Sequence, residues 1–133
     1  MAVAIDRWHR LLETRDISEL ETMLHDDVVF YSPVVHTPQR GKAVTSLYLG
    51  AADQVLNGGG HFRYLREVIG DGQAVLEFVT EIDGVEVNGV DIISWDENDL
   101  ITEFKVMVRP LQAVKAIHAA MGRMLEAFKQ GGG

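Results

Sequence analysis

The sequence contains no cysteine. Disulfides, zinc fingers, thiol nucleophiles and iron–sulfur clusters are thereby excluded. Positive charge is scarce: 12 Lys and Arg stand against 20 Asp and Glu, a net charge of −8. A domain that grips duplex nucleic acid presents a basic face, and an anionic bilayer selects for the same, so neither partner is expected. No apolar run approaches the length of a membrane span. Asp6, Trp8 and His9 fall in the first ten residues, where a secretory signal needs an apolar stretch. The expectation is a cytoplasmic location. Proline occurs only at 33, 38 and 110, so few places forbid regular structure.

What is present suits a core. Hydrophobic residues make up 47% of 133, which predicts one domain over 1–130, with a flexible glycine tail at 131–133. Residues 3–14 place Ile5, Trp8 and Leu12 on one helical stripe. Asp16 is a candidate N-cap for a second short helix carrying Ile17, Leu20 and Leu24. Val28–Ser32 reads as a strand, Pro33 and Pro38 bound a loop, and 41–56 reads as a third helix. Then the period changes. Segments 61–69, 73–82, 86–95 and 100–109 read as antiparallel strands, with hairpin turns at Asp71-Gly72 and Asp83-Gly84. Pro110 opens a last helix striped by Leu111, Val114, Ile117, Met121 and Phe128. Helices first and strands later make an α+β fold, helices covering one face of a sheet.

Alternation assigns the faces. Leu76, Phe78 and Thr80 oppose Glu77, Val79 and Glu81, while Phe104, Val106 and Val108 oppose Glu103, Lys105, Met107 and Arg109. Val87, Gly89, Asp91, Ile93 and Trp95 oppose Asn88, Val90, Ile92 and Ser94. Both faces of that strand are apolar, which predicts helices inside and another subunit outside.

The run Asp26-Asp27-Val28-Val29-Phe30-Tyr31-Ser32-Pro33, Gly41-Lys42 at a helix start, Val90-Asp91-Ile92-Ile93-Ser94-Trp95-Asp96-Glu97 and Leu100-Ile101-Thr102-Glu103-Phe104 together resemble the nuclear transport factor 2-like superfamily. Within it the chain resembles the SnoaL-like group, which is similar to the ketosteroid isomerases. The likeness covers residues 5–109. It implies a cone-shaped half-barrel of a curved, mainly antiparallel sheet, closed by three N-terminal helices around an apolar cavity, with the C-terminal helix as an extension. It also implies a homodimer through the outer face of the sheet. Ketosteroid isomerase uses a carboxylate base and an oxyanion hole of a tyrosine and a protonated acid. Position by position, Asp91 matches the acid, Ser32 stands where the base would be, and Trp8 stands where the tyrosine would be.

Ten acids and no Lys or Arg lie between Asp71 and Phe104. Most fall at turns or on the outward face; Asp91, inside an apolar string, does not. Burial there raises its pKa and suits it to donate a proton or to accept one. His36, in the Pro33–Pro38 loop, is the candidate partner base, titrating near neutrality when unperturbed. Trp8, Ser32, Tyr48, Phe78, Trp95 and Phe104 are the candidate ligand contacts. The five histidines lack ligand spacing, so no metal and no cofactor is expected. Two functions stay open: a cavity that holds a small apolar ligand without chemistry, and an isomerase, cyclase or lyase acting on a small carbonyl compound through Asp91 and His36.

Overall fold

The computed structural model describes residues 2–131, with side chains described as far as Ala127. The expected stripe residue Phe128 and residues 132–133 of the expected tail lie outside that range. Helix α1, Val3–Thr14, buries Ala4, Ile5, Trp8 and Leu11. It ends where Arg15 turns left-handed (φ 61°) and returns its N–H to Leu11. Asp16 then caps a 3-10 turn, Ile17–Glu19, by accepting from Ser18 N–H, and α2, Leu20–Met23, completes the corner.

Leu24, expected on the helix stripe, instead begins β1, Leu24–Tyr31, because it pairs with Ile101 in the sheet. After the proline loop comes a two-residue strand β2, Gln39–Arg40, too short to show in the pattern. Helix α3 follows, Lys42–Asn57. The strands β3, Arg63–Ile69, β4, Gln73–Ile82, β5, Val85–Trp95, and β6, Ile101–Arg109, agree with expectation to within two residues. Helix α4 spans Leu111–Gly131.

The sheet order is β2-β1-β6-β5-β4-β3, antiparallel except for β1 beside β6. It is curved and open, with β2 and β3 as its edges, not closed into a barrel. The inner face supplies the core: Phe30, Leu76, Phe78, Ile93 and Phe104 are each 2% exposed or less. Each contributes about 1.5–3 kcal/mol by burial. Helix α4, whose role the resemblance left undefined, packs on α3 and the inner ends of β4, β5 and β6 through Ala113, Ile117 and Met121.

Two local features place the site. Gly89 lies under the Phe78 ring: a Cβ there would sit 2.5 Å from Phe78 Cζ and 2.7 Å from Met107 O, so only glycine lets the ring lie on β5. Strand β3 carries a bulge at Leu65. Tyr64 pairs with Phe78 and Arg66 with Glu77, so Leu65 has no partner. Tyr64 and Glu67, three residues apart, therefore both face inward, where strict alternation would separate them.

Candidate functional site

Asp91 stands at the middle of β5, facing inward between Leu76 on β4 and Val106 on β6. It is 5% exposed. Tyr64 donates its hydroxyl to Asp91 Oδ2 at 2.6 Å, and Trp8 Nε1 donates to Tyr64 Oη at 2.8 Å. Three elements thus meet in one chain of hydrogen bonds: α1, β3 and β5. No other donor among the described residues reaches the carboxyl, so Oδ1 is left for a ligand or water. Burial pushes Asp91 from its ordinary value of 3.8 up to about 7, and the Tyr64 hydrogen bond opposes the rise. Tyr64 is itself held well above the usual tyrosine value, first by burial and then by the charge of Asp91. It therefore stays a donor.

The carboxyl borders a cavity lined also by Trp8, Leu49, Leu56, Phe62, Phe104 and Val106. Its volume is about 40 Å³, room for on the order of two or three waters. Asp53 and Asn57 of α3 lie on its wall. Asp53 is paired with Arg15 (Nε to Oδ2, 2.9 Å) and accepts from Asn57 Nδ2 at 3.4 Å, while Arg15 Nη1 reaches the Asn57 carbonyl at 3.3 Å. This cluster ties the end of α1 to the end of α3. Beside the cavity runs a groove of about 410 Å³ that shares Leu12, Asn57 and Phe62 with it. Those three side chains line both spaces. A larger depression of about 710 Å³ lies elsewhere, between Arg63 and Arg109.

Of the eight candidate residues, the structure brings Trp8, Asp91 and Phe104 to this cavity, with Trp8 and Phe104 edge to face at 4.9 Å. Phe78 is fully buried behind it, stacked on Phe62 at 5.1 Å. Tyr48 packs on Phe30 at 5.6 Å and Trp95 lies half-buried at the end of β5; neither lines the cavity. Ser32 Oγ accepts from Val34 N–H at 3.1 Å and so serves the turn after β1. His36 is exposed on that loop and does not meet Asp91. Among the described residues no group of His, Asp and Glu has a metal-binding arrangement.

Tyr64, Asp53 and Phe62 were not singled out from the sequence. Asp53 carried a signal, a carboxylate within the apolar stripe Leu49, Ala52, Leu56. Tyr64 carried none, because the bulge alone sets its face.

A family model of the SnoaL-like domain matches residues 5–104. Among solved structures, a steroid delta-isomerase from Pseudomonas aeruginosa superposes with a TM-score of 0.90 at 37% identity, covering 97% of this chain and 93% of that one. A bacterial protein with a cystatin-like fold from Silicibacter pomeroyi DSS-3 gives 0.84 at 30%, covering 92% and 85%. The epoxide hydrolase/cyclase-like enzyme SalBIII of salinomycin pyran ring formation gives 0.65 at 14%, covering 80% and 88%, a likeness of fold alone. No curated protein matches the chain. With the family model covering most of the sequence, the chain belongs to the SnoaL-like family, on the nuclear transport factor 2-like fold.

Proposed function

We propose that the protein is an isomerase-type enzyme that binds a small, largely apolar carbonyl compound and moves a proton with Asp91. The observation that carries this reading is the buried carboxyl with a pKa of about 7, one oxygen held by Tyr64 and the other free at an apolar cavity. Near pH 7 such a group is divided between its two forms. Protonated, it donates to a carbonyl oxygen and stabilises the enol; ionised, it accepts a proton. The 37% identity to a steroid delta-isomerase over nearly the whole chain supports an enone as substrate class. Since the cavity alone holds only water, a ligand must displace Phe62, Leu12 or Asn57 and join it to the groove of about 410 Å³, a combined space in the usual range for small-molecule sites.

The test is conversion of a β,γ-unsaturated ketone to its conjugated isomer by wild type, Asp91→Asn and His36→Ala. The expected result is a loss of roughly 100-fold or more in kcat for Asp91→Asn and none for the exposed His36→Ala. Equal rates in all three would remove Asp91 from the chemistry. Ser32 and Trp8, standing where the resemblance expects a carboxylate base and a tyrosine, favour a second reading, ligand binding without turnover. Tight ketone binding with no isomerisation would select it.

For the outer face we propose a partner. Val68, Val75 and Ile92 form one cross-strand row, with Val90 and Met107 in the next, and Val68, Met107 and Val75 are 61%, 50% and 40% exposed. This stripe is the proposed seat of a second copy.

A further inference from the structure

The bulge at Leu65 makes two contacts at once. It brings Tyr64 to Asp91, and it brings Glu67 Oε1 to within 2.8 Å of His9 Nε2. His9 and Tyr64 lie ring beside ring, centroids 6.0 Å apart. His9, Tyr64 and Glu67 all line the groove that meets the Asp91 cavity at Leu12, Asn57 and Phe62. Nε2 is sealed from solvent, and its 2.8 Å contact with Glu67 Oε1 is not aligned as a hydrogen bond. The His9 side chain is nevertheless 36% exposed. Its accessible part therefore excludes Nε2, so a proton from the groove would have to reach Nδ1.

We propose that His9 is a second acid–base residue of this site, with Glu67 as the positioning residue that fixes its ring. The proposal rests on the isomerase reading and supplies, from α1, the base that Ser32 cannot be. For a β,γ-unsaturated ketone, the C–H bond between carbonyl and alkene breaks and its proton moves to Nδ1. The electron pair enters the new C–C double bond, the carbonyl π pair moves to oxygen, and the resulting enolate oxygen accepts a hydrogen bond from protonated Asp91, which keeps its proton. Return of the same proton to the γ-carbon gives the conjugated isomer and restores the imidazole. Atoms and electrons balance without a co-reactant.

The experiment uses androst-5-ene-3,17-dione as probe, with wild type, His9→Gln, His9→Ala, Glu67→Gln, Glu67→Asp and Asp91→Asn. His9→Gln should lower kcat by about 100-fold or more with KM nearly constant, and added imidazole should restore part of the His9→Ala rate. The groups facing His9 are Glu13 on its own helix, Arg63, Tyr64 and Glu67 on β3, and Asp91 behind Tyr64 on β5. Glu67→Gln should lower kcat with KM nearly constant, and the conservative Glu67→Asp should restore part of that rate, as expected of a residue that fixes the ring. A His9→Gln enzyme at full rate, beside an inactive Asp91→Asn, overturns this inference and leaves the proposed function standing. A His9→Ala enzyme that imidazole cannot rescue also overturns it. Wild type that leaves the probe unchanged overturns both.

Discussion

At Asp91 two effects oppose each other. Burial disfavours the carboxylate, the Tyr64 hydroxyl favours it, and burial is the larger. The folded protein therefore holds the proton more tightly than the unfolded chain. By linkage its contribution to stability is fully present below about pH 4 and is lost as pH rises toward 7, a difference of about 4 kcal/mol. Asp91→Asn keeps the shape and removes the ionisation. It should unfold at higher denaturant than wild type at pH 8, with the gap closing near pH 4, as denaturation curves at the two pH values will read. Tyr64→Phe acts in the other sense. It leaves Trp8 Nε1 without an acceptor and Asp91 without a donor, a cost of about 1–3 kcal/mol. It should also drive the Asp91 titration higher still, since the lost hydrogen bond is the one that holds it down.

Among the elements, β3 and β5 build the site by departing from regular strand rules. Gly89 opens β5 to the Phe78 ring, and Phe78 in turn stacks on Phe62 at the mouth of the cavity. Gly89→Ala drives a methyl into that ring and into the Met107 carbonyl; a loss of about 1–3 kcal/mol is expected in the denaturation midpoint. Asp91 was legible in the sequence because a carboxylate inside Val90-Asp91-Ile92-Ile93 breaks a buried apolar string. The strands and α3 were legible from period and turn chemistry, down to Asp83 and Gly84, both at positive φ. Tyr64 and Glu67 were not, because a bulge shifts parity without any mark in composition. Leu24 joined a strand for the same kind of reason: its partner Ile101 is 77 positions away and decides against the local stripe. The loop of His36 resists a sequence reading too, since nothing local sets which way a proline-bounded turn presents its side chains.

For the molecule as a whole, the net charge of −8 coexists with an apolar stripe on the outer face of the sheet, the row from Val68 to Ile92 with Val90 and Met107 beside it. A second copy seated there would cover it and leave the mouth at Leu12, Asn57 and Phe62, on the inner side, clear. Val75→Glu with Met107→Glu should convert a dimer in sedimentation to a monomer with unchanged isomerase rate; wild type sedimenting as a monomer at all concentrations would contradict the dimer. The enzyme reading stands or falls on Asp91, buried at the centre of that molecule. The most direct measurement is the carbon-13 NMR titration of its carboxyl, in the free protein and with a saturating ketone. A midpoint near pH 7 that moves upward when the ketone binds is the expected result, because the protonated acid is the form that donates to a carbonyl oxygen. A midpoint near the ordinary value of 3.8, or one indifferent to the ketone, would contradict it.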